Sequence, residues 1–152
     1  MGTGLQHGRR CNGIGANCHD SHIFHLLQDG LYQLTAQLTA IGTNAIATAA
    51  MLKAGAHNGA TGENPAVVAC RRADVIIGPI GIVIADAMFG EVTPKMAVTV
   101  GQTDAVRILL PVNKCDNLVA GVPDLSMSTL IADVMVKLHG LEKQVASDRK
   151  TC

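Results

Sequence analysis

Polar and apolar positions alternate from about residue 31: Gln33, Thr35, Gln37 and Thr39 interleave with Leu34, Ala36, Leu38 and Ala40. A period of two predicts a strand with one wetter face, leading into Ile41 and Gly42. Thr43 or Asn44 then offers a side-chain oxygen to cap a helix reaching about Lys53, through a run of alanine and methionine that favours helix, and Gly55 supplies the stop. Residues 56–62 read as a loop. Residues 63–73 read as a helix beginning near Pro65, which suits a first turn, and Asp74 ends it. Val75-Ile76-Ile77 is short, wholly apolar and β-branched, which predicts a buried central strand turning at Gly78-Pro79. Residues 80–89 read as a buried helix closed by Gly90. Thr93-Pro94 opens another helix to about Val100, and residues 106–110 give the next apolar strand before Pro111. One more strand is expected over 118–122. Over 126–139, Leu130, Ile131, Val134 and Leu138 recur at helical spacing, and the polar residues 141–152 are expected to fray.

Strands alternating with helices predict an α/β fold: a three-layer, Rossmann-like domain with a mainly parallel sheet, in which the strands at 75–77 and 106–110 are buried and adjacent or nearly so. Residues 31–140 form this domain, and 141–152 a polar tail. Residues 1–30 stand apart, because Gly, Arg, Asn, Cys and His crowd them and no strand-length apolar run occurs before Ile23. They are expected to be an irregular, aberrant segment.

Composition sharpens this picture. With 152 residues the chain suits one domain. Apolar residues make up 48% of it and aromatics only 2%, so the core is built from Ala, Val, Ile, Leu and Met, as buried parallel strands under small-residue helices require. Twelve basic against twelve acidic residues leave no positive field for nucleic acid. The longest apolar stretch, 75–89, is broken by Gly78, Pro79, Gly81 and Asp86 and falls short of the roughly 20 residues of a membrane helix. Five cysteines at irregular spacing, with no charged leader ahead of an apolar run, point to a reducing cytoplasm. High apolar content and unpaired sheet edges point to a homo-oligomer.

In parallel α/β sheets, loops and helix N-termini with free N–H groups converge at the carboxyl ends of the strands, where anions bind. The candidate ligand residues fall there: Gly42, Thr43 and Asn44 after the first strand; Thr61, Gly62, Glu63 and Asn64 in the next loop; Gly78 and Pro79 after the second strand; and Asn113 after the third. Thr43 and Asn44 suit either an anion contact or a plain helix cap. Gly78 and Pro79 suit either a tight turn or a surface for a flat ring. Lys114 and Cys115 read more simply as a solvated lysine and a packing cysteine than as a clamp and a nucleophile. Cys11, Cys18, His19, His22 and His25 lack a paired C-x-x-C, and no metal site is assigned to them. His57 and His139 read as surface residues. No G-x-S-x-G elbow, phosphate-binding lysine loop or H-E-x-x-H stretch occurs, so no catalytic residue is named.

Ile41-Gly42-Thr43-Asn44-Ala45, Met51-Leu52-Lys53-Ala54-Gly55-Ala56, Ala60-Thr61-Gly62-Glu63-Asn64, Asp74-Val75-Ile76-Ile77-Gly78-Pro79, Glu91-Val92-Thr93-Pro94-Lys95-Met96 and Leu110-Pro111-Val112-Asn113-Lys114-Cys115 occur in this order. In these motifs the chain resembles a small bacterial family of uncharacterised proteins, over roughly residues 41–138. The resemblance implies a Rossmann-like domain opening on an apolar strand and a glycine-rich, dinucleotide-type turn. Gly13-Ile14-Gly15-Ala16 sits where that turn ends, but His7-Gly8-Arg9-Arg10-Cys11-Asn12 replaces the expected apolar strand and turn. A fainter similarity, over 74–113, is to flavin-binding decarboxylase-type proteins.

The leading expectation is therefore a binder of a nucleotide or another small phosphorylated or anionic metabolite, a dinucleotide by the family resemblance. The alternatives are a flavoprotein-like domain placing FMN against Gly78-Pro79 and Asn113, and a non-catalytic subunit or regulatory module.

Overall fold

The structure, a computed structural model, describes residues 10–15, 36–112, 119–123 and 125–148. Five strands occur in it: β1 (Arg10–Gly15), β2 (Gln37–Gly42), β3 (Asn58–Thr61), β4 (Val75–Pro79) and β5 (Val106–Leu110). They form one sheet in the order β3-β2-β1-β4-β5, and every neighbouring pair is parallel. Four α-helices, α1 (Ala45–Lys53), α2 (Glu63–Cys70), α3 (Pro94–Gln102) and α4 (Met127–Asp148), and a 3-10 turn at Ile80–Val83 complete the described elements.

Side-chain alternation along the strands separates two cores. Leu38 and Ala40 of β2, Val75 and Ile77 of β4, and Ile108 and Leu110 of β5 pack with Met51 and Ala54 at α1 and with Ile131, Val134 and Leu138 of α4. The intervening residues Ile41 and Ile76 pack instead with Ala66 and Cys70 of α2 and with Met96, Ala97 and Val100 of α3. A strand whose successive side chains enter different cores must be apolar throughout. All five residues of β4 are accordingly buried.

Local chemistry sets the helix ends. Asn44 caps α1, its side-chain oxygen accepting from the Ala47 N–H at 2.8 Å, and Gly55 follows the helix with a φ of 104°, a left-handed conformation that glycine adopts without strain. Thr93 caps α3 through the Met96 N–H at 3.2 Å, with Pro94 in the first turn.

Several expectations are corrected. Arg10–Gly15 is the middle strand of the sheet and not part of an irregular segment; its register runs from Arg10 opposite Gln37 to Gly15 opposite Gly42. Its sequence carries no apolar alternation, and pairing on both sides makes it a strand. The remainder of residues 1–30 lies outside the described residues. The first alternating strand is displaced to Gln37–Gly42, and residues 31–35 are likewise outside. The loop expected at 56–62 contains edge strand β3, mostly exposed and so without an apolar signature. Its entry is tied by His57: the Leu38 N–H donates to His57 Nδ1 at 3.1 Å, and the His57 N–H donates to the Leu38 carbonyl at 3.0 Å.

The helix expected over 80–89 is only the 3-10 turn. The chain then folds back on itself: the Asp86 N–H donates to the Val92 carbonyl at 2.8 Å and the Val92 N–H to the Ala87 carbonyl at 3.2 Å, which delivers Val92 to the core. Asp86, Met88 and Phe89 are left-handed in this loop, and Phe89 is fully exposed. Val119–Val122 is a turn through Gly121 rather than a strand. Finally, α4 continues through Asp148, across much of the segment expected to fray.

Two substitutions test this framework. A Cβ at Gly42 would lie 2.2 Å from Thr48 Oγ1 and 2.8 Å from its backbone nitrogen, so Gly42→Ala is expected to lower unfolding stability by about 1–3 kcal/mol in a urea titration. His57→Ala orphans the buried Leu38 N–H and is expected to lower it by about 1 kcal/mol.

Candidate functional site

Every described candidate residue lies at the carboxyl ends of the strands. Gly42 ends β2 and is buried, because the first turn of α1 packs directly on it. Thr43 and Asn44 follow, half-buried. Thr61 ends β3, Gly62 and Glu63 begin α2, and Asn64 is exposed in its first turn. Gly78 and Pro79 end β4 and are both buried. Asn113, with Lys114 and Cys115, lies outside the described residues.

The structure joins most of these residues to one another or to groups the sequence did not single out as site residues. Thr48, the buried polar residue of α1, donates its hydroxyl proton to the Asn44 carbonyl at 3.1 Å. The Thr48 and Thr61 hydroxyls also hydrogen-bond to each other at 2.7 Å. The Gly62 N–H donates to the Gly42 carbonyl at 2.9 Å, which joins the ends of β2 and β3.

Two carboxylates complete this rim. The Thr43 hydroxyl donates to Glu91 Oε2 at 2.5 Å, and the Asn44 amide lies 3.3 Å from the same oxygen. A short O–H···O⁻ contact of this kind is charge-assisted. Glu91, arriving from the folded-back loop 47 or more positions along the chain, thus lies at the start of α1, where the positive end of the helix dipole favours a negative charge. Glu63 is held by the Thr93 hydroxyl at 2.7 Å and by Lys95 Nζ at 3.2 Å. The hydrogen bond from Thr93 and the one from Lys95, together with the lysine charge, hold the Glu63 carboxyl below its ordinary 4.5 against a smaller opposing effect of desolvation. Glu63 therefore joins the start of α2 to the start of α3.

Glu91, Thr93 and Lys95 fall in the Glu91-Val92-Thr93-Pro94-Lys95 motif, and that motif was the available signal. Its role stayed hidden because only the folded-back loop brings it beside Thr43 and Glu63. The other missed position is the end of β1, where Gly15 lies in register with Gly42 on one side and Gly13 with Ile77 on the other. Burial pushes the Cys70 thiol up, and it packs within the core. Among the described residues no group of three or more His, Cys, Asp and Glu is placed to hold a metal, and no helix is long and apolar enough to cross a membrane.

The arrangement defines a parallel α/β protein with a polar rim at the carboxyl edge of its sheet. A family model, described as a domain of unknown function (DUF3842), matches residues 13–143, and the chain belongs to that family. No curated protein and no solved structure matches the chain.

The folded-state shift at Glu63 has a defined sign. Its carboxyl is lowered, so the stabilisation is fully present above the ordinary value and is lost as pH falls through the lower folded value. Glu63→Gln is expected to lower the urea midpoint at neutral pH, with the difference from the native protein vanishing as the pH falls below 4.5 and on through the folded value. A difference that persists unchanged in acid would remove the ionised carboxylate as its source.

Proposed function

We propose that the domain is a three-layer, Rossmann-like binder of a nucleotide or another small phosphorylated or anionic metabolite. The observation that carries this reading is the strand order. From β1 the chain moves outward to β2 and β3, then crosses back to place β4 and β5 on the other side of β1. The winding direction thus reverses between β1 and β4. Loops leaving two adjacent strands in opposite directions open a crevice at their carboxyl ends, and ligands of open α/β sheets bind there.

Glycine ends both strands at this point: Gly15 ends β1, and Gly78 precedes Pro79 at the end of β4. Glycine lets a ligand approach the backbone closely, so that main-chain N–H groups carry an anion without a dedicated cation. Thr43, Asn44, Thr61, Gly62, Glu63 and Asn64 form the rim on the β2 and β3 side. Since Glu91 already occupies the donors of Thr43 and Asn44, the phosphate or carboxylate of the ligand belongs toward β1 and β4, with uncharged hydroxyl-bearing parts toward Glu91 and Glu63. The buried setting of Gly78 and Pro79 offers a ring their backbone edge, not an open proline face, which favours the nucleotide reading over the flavin one.

The test is thermal unfolding of the full chain with adenine and nicotinamide nucleotides, FMN and sugar phosphates, paired with native mass spectrometry. A bound ligand at 100 times its dissociation constant adds about 2.7 kcal/mol, equivalent to a rise of several degrees in Tm. Gly15→Val is expected to abolish that rise by blocking backbone approach. No shift with any of these compounds at millimolar concentration, together with the bare chain mass, would overturn the reading.

A further inference from the structure

We propose that the free edge of β5 is a homodimer interface, at which two copies pair β5 with β5 in antiparallel fashion about Ile108 while their α4 helices meet at Gly140. The inference is independent of the ligand reading.

The direction of the backbone groups is fixed by the ladder to β4. The Val106 N–H donates to the Asp74 carbonyl at 3.0 Å, and Val106, Ile108 and Leu110 lie in register with Val75, Ile77 and Pro79. In a strand, the N–H and C=O of one residue point to the same side and those of the next to the opposite side. Val106, Ile108 and Leu110 therefore pair inward, and the N–H and C=O groups of Arg107 and Leu109 point outward, with no partner among the described residues. These four groups are disposed symmetrically about Ile108. In an antiparallel pair centred there, Arg107 of one copy exchanges both bonds with Leu109 of the second copy, and Leu109 with Arg107, so that all eight groups are satisfied.

Edge strands of monomers are commonly guarded by a charged side chain or a proline. Here the Arg107 guanidinium is turned away, donating to the carbonyls of Val100, Gly101 and Thr103 at 3.3, 3.0 and 2.8 Å, where it caps the end of α3. Beside the edge runs an open groove of about 500 Å³, bounded by β5 and by Lys137, Gly140 and Leu141 of α4, with Val106 exposed at one end.

Gly140 is the second, independent observation. It lies inside a 22-residue helix, where glycine is the least favourable residue after proline. Nothing among the described residues requires it, because a Cβ there would meet no described atom within 4 Å. A glycine that internal packing does not demand, on the wall of a groove beside an unpaired edge, fits a close external approach. Continuing the sheet across the edge brings the second copy's α4 alongside α4 at that wall, whereas an added extended peptide would satisfy the edge and leave Gly140 unused. The charges agree. Each α4 presents a Lys137–Asp133 pair of opposite signs near this wall, and a formal net charge of zero adds no long-range repulsion between copies.

The experiment is light scattering of the purified full chain at micromolar concentration, with amide exchange followed by NMR. The native protein is expected at twice the monomer mass, with the Arg107 and Leu109 amides protected. Leu109→Pro removes an outward N–H, together with the packing of the Leu109 side chain against the second core, and is expected to give a monomer. Gly140→Gln places a good helix former where the chain has space and is expected to give a monomer with undiminished helical circular dichroism, which decides the matter should Leu109→Pro fail to fold. A native protein that stays monomeric would overturn the proposal. So would a dimer that survives Gly140→Gln, or one whose Arg107 and Leu109 amides exchange freely.

Discussion

The sheet depends on the pairing of β1 on both sides. β2 and β4 do not contact each other through hydrogen bonds; each contacts β1, through the registers Cys11 with Leu38 and Cys11 with Val75. Without this strand the sheet would separate into two parallel pairs, β3 with β2 and β4 with β5, each exposing a buried strand's backbone groups. Unpaired buried N–H and C=O groups are costly enough that a short segment of unremarkable strand propensity is held in place by the ladder on either side. Parallel pairing also requires long crossovers, and the helices that supply them are what cover the sheet.

Covering two faces with few aromatics brings backbones close together. Gly42 has no room for a Cβ against the first turn of α1, and α1 itself is rich in alanine. The same close approach brings Thr48 to Thr61 and the Gly62 N–H to the Gly42 carbonyl, so the packing of one helix determines the shape of the carboxyl edge. On the opposite face, Val92 enters the core only because the chain reverses at Asp86, and that reversal carries Glu91 to Thr43. The polar rim is in this sense a consequence of core packing on both sides.

Polar groups at this rim are largely engaged with one another. Glu63 ties α2 to α3, Glu91 ties the reversing loop to α1, and Thr61 ties β3 to α1. Under the proposed function, what this leaves for a ligand is the backbone at the ends of β1 and β4, where the winding reverses.

The amino-acid sequence by itself determined the elements whose signals are local. The cap at Asn44, the stop at Gly55, the Thr93-Pro94 start of α3, the fully apolar β4 and the strand Val106–Leu110 were all legible, because each rests on the chemistry of a few consecutive residues. The parallel adjacency of β4 and β5 followed from the alternation of strands and helices, whereas the expected burial of both holds in full for β4 alone, since Val106 and Arg107 of edge strand β5 are exposed. Tertiary structure alone decided the rest. Arg10–Gly15 and Asn58–Thr61 are strands because neighbouring backbones pair with them, and no pattern of side chains encodes that. The apolar run after Pro79 folds back instead of forming a helix: Ile82 and Val92 are buried in the core, Val83, Ala87 and Met88 pack partly against it, and Phe89 is left in solvent. The partners of Thr43 and Glu63 lie some 30 to 48 residues away, and only the closed fold brings them within hydrogen-bond reach.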